Sequence, residues 1–233
     1  MIVPEKITPQ FNWADIDTVL LDMDGTLLDK HFDDYFWEQY VPEHYSLKHD
    51  LSIDDAKKEL LEKYRNVENT LCWTDLDYWS EQLDMDIPGL KTGLNHLIAV
   101  HPYVGKFLRF CRKNEKKIFL VTNAHPKTLS IKLEKASIGH LFDRIVCADE
   151  IGLAKEEGAF WTRLEQLLGF NKSTTLLADD TEKVLLSAQE YGMGQLIFVA
   201  RSSSKKPVEY SSHYPSIEYF IELIPKEERQ SQQ

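Results

Sequence analysis

The amino-acid sequence predicts an α/β protein: a doubly wound parallel sheet that carries an inserted all-helical cap domain. Two observations point to it. Short continuous apolar runs alternate with helix-period segments from about residue 100 onward, and residues 30–97, between the first run and the second, show helical patterning with no convincing strand.

The strand candidates are residues 18–23, 117–122, 144–148, 175–178 and 195–200. Each is β-branched or aliphatic and bounded by polar residues. Runs such as Ile118-Phe119-Leu120-Val121 and Leu196-Ile197-Phe198-Val199 are unbroken rather than alternating. That is expected of strands covered by helices on both faces.

Between these runs lie the helices. Val104, Phe107, Leu108 and Cys111 share a face, with Pro102 near the start. Leu129, Leu133 and Ala136 form a second stripe. Phe160, Trp161, Leu164, Leu167 and Leu168 form a third, stopped at Gly169, and Val184, Leu185, Ala188 and Tyr191 a fourth, stopped at Gly192. In the insertion, Ser52 followed by Asp55 resembles a capping box with Asp in place of Glu, ahead of Ile53, Ala56, Leu60, Tyr64 and Val67. Thr74 and Asp77 repeat that signature before Leu76, Trp79 and Leu83. Such a stretch is too long for a loop. The expected division is a core of residues 1–29 and 98–233 with a helical cap of residues 30–97. Residues 202–206 read as a loop and 226–233 as a polar, frayed tail.

Lys and Arg number 27 against 38 Asp and Glu, a net charge of −11. So acidic a chain suits neither nucleic acid nor anionic membranes. It remains compatible with a small phosphorylated substrate, because a divalent cation and oriented N–H groups reverse the local field. No apolar run approaches a membrane span, and the N-terminus lacks signal-peptide character, so a cytoplasmic location is expected. Cys72, Cys111 and Cys147 are far apart and form no CxxC pair, which argues against disulfides and structural zinc. Cys111 and Cys147 read as small core hydrophobes.

The chemistry gathers at predicted strand ends. Asp22-Met23-Asp24-Gly25-Thr26 follows the first apolar run. In a parallel sheet, ligands bind at the carboxyl ends of strands. Two carboxylates there are costly unless a cation neutralises them, and Mg²⁺ takes two or three such oxygens. Read blandly, the motif is a turn with Asp and Gly in their usual roles. Thr122-Asn123 ends the second run, where a hydroxyl and an amide suit a phosphate oxygen or a helix cap. Asp179-Asp180 ends the fourth; adjacent carboxylates repel, and a shared metal accounts for both, while either Asp180 or Thr181 also suits a helix N-cap. Lys155, before the helix of Phe160 to Leu168, is the candidate to balance them, or else an ordinary solvated lysine.

Asp22-x-Asp24-Gly25-Thr26, Thr122-Asn123, Lys155 and Asp179-Asp180, in that order, resemble the haloacid dehalogenase-like (HAD) hydrolase superfamily. One departure is visible: many relatives carry Lys-Pro-x-Pro-x-x-Phe where this chain has Lys155-Glu156-Glu157-Gly158-Ala159-Phe160. The resemblance implies a HAD-like Rossmannoid core, Asp22 as nucleophile forming an aspartyl-phosphate, and Asp24 as general acid and base. It implies Mg²⁺ on Asp22, the Asp24 carbonyl and Asp180, with Asp179 as ligand or close support. Thr122, Asn123 and Lys155 would hold the phosphoryl oxygens. The presence of Asp24 implies phosphoryl transfer rather than dehalogenation.

Residues 17–29, Phe32-Asp33-Asp34-Tyr35-Phe36-Trp37, residues 76–83, Thr122–Pro126 in TNAHP, and His213-Tyr214-Pro215-Ser216 look like the bacterial GMP/IMP nucleotidases. That resemblance implies a nucleoside 5′-monophosphate as substrate. Tyr35 and Trp37 are the cap aromatics nearest in sequence to the catalytic loop and are candidates to stack a purine; otherwise they are cap core. His125 is a substrate contact or a helix-start residue. A phosphatase or phosphomutase acting on a sugar phosphate or other small ester, and a non-catalytic binding protein, are the competing readings.

Overall fold

A computed structural model describes residues 4–68 and 70–229 of the chain. Six strands form one parallel sheet: β1 Thr18–Leu21, β2 Lys117–Thr122, β3 Arg144–Cys147, β4 Thr175–Asp179, β5 Gln195–Val199 and β6 Ser216–Ile217. Their order is β3-β2-β1-β4-β5-β6. The chain builds outward from β1 to β2 and β3, then returns to the other side of β1 with β4. The direction of winding therefore reverses between β1 and β4, the place where open α/β sheets bind ligands.

The five expected strands are present, four of them differing by one or two residues at their carboxyl ends. The first apolar run overshoots because Asp22 and Met23 leave the ladder to form the loop of the DxDGT motif. β6 escaped the sequence reading because two residues show no periodicity; it is held by Phe198 N–H to Pro215 O and Ala200 N–H to Ile217 O, both 2.8 Å.

Among its described residues the insertion holds helices joined by short turns, and no strand. It comprises α1 His31–Tyr35, a π-helical turn Phe36–Tyr40, α2 Val41–His49, α3 Ile53–Arg65, α4 Leu71–Thr74, α5 Leu76–Leu83 and α6 Ile87–Gly93. The chain leaves and re-enters the core at one place: Asp29 N–H bonds to Ala99 O and His101 N–H to Leu27 O, each 2.9 Å. Ser52 caps α3 as expected, accepting from Asp55 N–H at 3.1 Å. Thr74 does not cap α5. Asp75 does, accepting from Asp77 and Tyr78 N–H at 2.8 and 3.2 Å, because it is the extended residue directly before the helix, whereas Thr74 is the last residue of α4 and turns its hydroxyl back to Leu71 O.

In the core, α7 Val104–Lys113, α8 Pro126–Ala136, α9 Ala148–Ile151, α10 Gly158–Leu168 and α11 Glu182–Tyr191 cover the sheet. Phe160, Trp161 and Leu164 of α10 pack with Leu20, Val121, Leu177, Val184 and Leu185 on one face. Phe107, Leu108 and Cys111 pack with Val19, Leu21 and Leu120 on the other, in a cluster that continues without a break into Phe32, Phe36, Leu60 and Trp79 of the insertion. Cys111 is buried, but Cys147 is only half-buried, since it ends the edge strand β3. The expected stripe on α8 also differs: Leu129, Leu133 and Ala136 are half-buried, and the fully buried residues are Thr128 and Lys132.

Candidate active site

β1 delivers Asp22, β2 ends in Thr122, and β4 ends in Asp179 with Asp180 next. Parallel registration of β1 with both β2 and β4 brings these carboxyl ends side by side. Asp22 N–H bonds to Ala178 O at 3.1 Å and so fixes the loop against β4. Gly25 then turns with φ +84°.

Lys155 reaches the centre from the loop before α10 and is 2% exposed. Its Nζ donates to Asp22 Oδ1 at 2.5 Å and to Asp179 Oδ2 at 2.7 Å. The loop holds without the prolines common among relatives: Asn123 Oδ1 accepts from Lys155 N–H at 3.0 Å, Asn123 Nδ2 donates to Glu156 Oε2 at 2.9 Å, and Glu157 Oε1 accepts from Ala154 N–H at 2.8 Å. Side-chain hydrogen bonds thus do what ring rigidity does elsewhere. Thr122 is 1% exposed, with Oγ1 accepting from Ala124 N–H at 3.0 Å.

Oxygens of Asp22, Asp179 and Asp180 all lie within 4.8 Å of one another. Oxygens bound to one octahedral Mg²⁺ stand about 3–4.2 Å apart, given metal–oxygen bonds of about 2.1 Å, so this donor set fits the ion after small adjustments. Its electrostatics also call for a cation. Burial pushes the Asp22 carboxyl above the usual range against the pull of Lys155, with Asp180 adding repulsion. Burial likewise pushes Asp179 up to about 7, although Lys155 opposes it, and the Asp22 and Asp180 charges raise it further. For Lys155 burial alone would favour the neutral amine, but the paired Asp179 and Asp22 outweigh it and keep the ammonium charged.

Asp24 stands apart from that trio. Burial pushes it up to about 6 against Lys132, with Asp33 and Asp22 adding repulsion. Lys132 Nζ lies 2.5 Å from Asp24 Oδ1, a close ion pair rather than a directed hydrogen bond.

Over these groups opens a cleft of about 640 Å³, within the range of roughly 300–1,000 Å³ typical of small-molecule sites. From the insertion Trp37, Leu60, Leu61, Tyr64 and Trp73 line it, with Lys57 and Arg65 of α3. Trp37 and His125 line the cleft; Tyr35 is not among the lining residues, and its ring packs beside His31 and Tyr40. Trp37 is enclosed by Phe36, Tyr64 and Trp79, with the Lys91 ammonium 5.5 Å from its ring centre. Trp73 and Leu61 present more surface, 38% and 47% exposed. His125 caps α8, Nδ1 accepting from Lys127 N–H at 3.4 Å, while Nε2 lies 3.5 Å from Asp75 Oδ1 across the cap–core boundary.

The sequence reading missed four charged residues here. Lys30 Nζ donates to Asp180 Oδ2 at 2.8 Å. Lys91, Lys132 and Asp33 form a buried cluster beside Asp24. Lys30 carries no pattern that marks it, and Lys132 lies within a helix whose apolar stripe is on another face.

Comparison with known proteins fits this arrangement. A family model described as haloacid dehalogenase-like hydrolase matches residues 16–192. The chain is 35% identical over 213 residues to the GMP/IMP nucleotidase YrfG of Escherichia coli (strain K12), spanning 91% of this chain and 96% of that protein. The fold matches a HAD phosphatase from Thermococcus onnurineus with a TM-score of 0.74 at 22% identity, over 89% of this chain and 96% of that one. It also matches the L-2-haloacid dehalogenase of Xanthobacter autotrophicus with a TM-score of 0.58 at 15% identity, over 93% and 100% of the two chains.

Proposed function

The chain belongs to the haloacid dehalogenase-like hydrolase family and is a phosphatase, and from that premise we propose that it hydrolyses the 5′-phosphate of purine mononucleotides, GMP and IMP, with Mg²⁺ and a phosphorylated Asp22. The observation that carries the reading is the meeting of Asp22, Asp179, Asp180 and Lys155 at the point where the sheet reverses, beneath a cleft walled by aromatic residues of the insertion.

Asp22 supplies a carboxylate oxygen to the phosphorus while the ester P–O bond breaks. Asp24, protonated, gives its proton to the departing oxygen, and the nucleoside leaves as the alcohol. Asp24, now a carboxylate, takes a proton from water as the water oxygen attacks phosphorus. The Asp22–phosphorus bond breaks, inorganic phosphate departs, and both aspartates return to their starting states. Lys155, Thr122 and Asn123 face the phosphoryl oxygens and offset their charge. Asp22, Asp180, the Asp24 carbonyl and Asp179 would hold Mg²⁺, which supplies charge neutralisation on the phosphoryl group and its alignment.

Residues 30–97 act as the cap that selects the ester. The core groups read only the phosphate, and the aromatic residues of the insertion line the same cleft. The 35% identity to a protein named as a GMP/IMP nucleotidase supports the purine assignment. The test is phosphate release across nucleoside 5′-monophosphates and sugar phosphates. GMP and IMP are expected to lead in kcat/KM. A sugar phosphate leading by tenfold would overturn the substrate assignment, and return of the phosphoryl group to a sugar would make the protein a mutase.

A further inference from the structure

Helix α8 commits its two most buried positions to polar residues, Thr128 and Lys132, while its leucines remain half-buried. Lys132 is 1% exposed. Its Nζ lies 2.5 Å from Asp24 Oδ1 of the core and 2.5 Å from Asp33 Oδ2 of α1. Asp33 Oδ1 in turn meets Lys91 Nζ of α6 at 3.0 Å, and Lys91 is also buried. The Lys91 ammonium lies over Phe32, Phe36 and Trp37, and that of Lys132 over Phe32, at 5.1–5.5 Å from the ring centres.

A buried chain of lysine and aspartate is not explained by stability. Desolvating the charges is costly, and apolar residues of the same volume serve a core as well or better. Nor do Lys132 and Lys91 pair with the Asp22, Asp179 and Asp180 trio, whose lysine partners are Lys155 and Lys30. The chain runs from the insertion to one group, the second aspartate of the DxDGT motif.

We propose that Lys132, tethered by Asp33, is a positioning residue that turns the Asp24 carboxyl toward the leaving oxygen of the substrate. The ammonium lies against Oδ1, so Oδ2 is the oxygen left to carry the transferable proton. During phosphoryl transfer that proton moves to the ester oxygen as its bond to phosphorus breaks and the bond from Asp22 forms. Asp33 separates the two buried ammonium groups and keeps Lys132 at its post. This rests on the reading of Asp24 as the general acid.

The test compares phenyl phosphate with p-nitrophenyl phosphate, near-isosteric esters whose leaving groups differ in their need for a proton. The measured quantity is kcat/KM with Mg²⁺, because it reports the steps through phosphoryl transfer and not the later attack of water. A positioned general acid is worth about 10²–10⁴-fold, so Lys132→Met should lower kcat/KM for phenyl phosphate at least about tenfold more than for p-nitrophenyl phosphate. Asp33→Asn should shift the ratio in the same direction, and the double variant should resemble Lys132→Met alone. Equal losses on both esters, or no loss, would overturn the proposal. Should Lys132→Met fail to fold, Asp33→Asn decides: equal losses on both esters in that variant overturn it as well. Asp24→Asn separates the two claims. If that variant shows no selective loss on phenyl phosphate, the role of Asp24 is wrong; if it does and the Lys132 and Asp33 variants do not, only the positioning role is wrong.

Discussion

Gly25 and Asp180 stand so close that a methyl group on the glycine would lie 2.2 Å from Asp180 Oδ2. The two residues come from loops after different strands, β1 and β4, and that approach closes the carboxylate cluster. Gly25 also needs φ +84°, which an L side chain adopts only under strain.

Replacing Gly25 by Ala therefore tests the packing of the cluster. Left-handed strain costs about 1–2 kcal/mol, and Asp180 must move to admit the methyl group. The variant is expected to melt several degrees lower and to need at least about tenfold more Mg²⁺ for half-maximal activity, a shift equivalent to about 1.4 kcal/mol. A magnesium titration that matched wild type would contradict this close packing.

Metal removal gives a second prediction, read by melting as well as by turnover. EDTA should stop phosphate release and Mg²⁺ restore it. Saturating Mg²⁺, at a hundred times its dissociation constant, should add about 2.7 kcal/mol of stability. The pH dependence follows from Asp24, pushed up to about 6, and Asp179, pushed up to about 7. Both lie above the unfolded value of about 3.9, so the folded state holds protons that the unfolded state has released. Their stabilisation is complete below about pH 4 and is lost as pH rises through 6 and 7. In EDTA the melting temperature should fall between pH 5 and 8, and Mg²⁺ should flatten that fall. A melting temperature indifferent to both would contradict the cation site.

The third prediction separates the two tryptophans of the insertion. Trp73 is 38% exposed in the cleft, whereas Trp37 is boxed in by Phe36, Tyr64, Trp79 and Lys91. Stacking a base is worth about 1–3 kcal/mol. Trp73→Ala should raise KM for GMP and IMP about tenfold, with a far smaller change on p-nitrophenyl phosphate. Trp37→Ala should act mainly on stability, by less than the roughly 3–5 kcal/mol of a fully buried aromatic, since Trp37 is half-buried. Steady-state kinetics beside thermal melts tell them apart; the reverse pattern would return the base to Trp37.

The sheet was legible because short unbroken apolar runs between polar boundaries suit strands covered on both faces and are too short for buried helices. The strand ends also carried Asp22, Thr122 and Asp179 together in one motif order. The insertion was legible as helical from the Ser52 cap and the α3 stripe. What stayed hidden depends on long-range packing. Lys132 is separated from Asp24 and from Asp33 by about a hundred residues, and nothing in a local window marks a lysine as buried. The Leu129, Leu133 and Ala136 stripe pointed to the wrong face of α8, since the insertion packs against the side that carries Thr128 and Lys132. Tyr35 lies near the catalytic loop in sequence, but α1 turns its ring toward His31 and Tyr40.

Phosphate release from IMP by Asp22→Asn tests directly whether Asp22 attacks the substrate phosphorus. Asn keeps the volume but is a poor nucleophile, and losing an essential nucleophile costs on the order of 10⁴–10⁶ in kcat. Loss of that size is expected in a variant that melts like wild type. Retention of more than about a hundredth of the wild-type rate would contradict attack by Asp22.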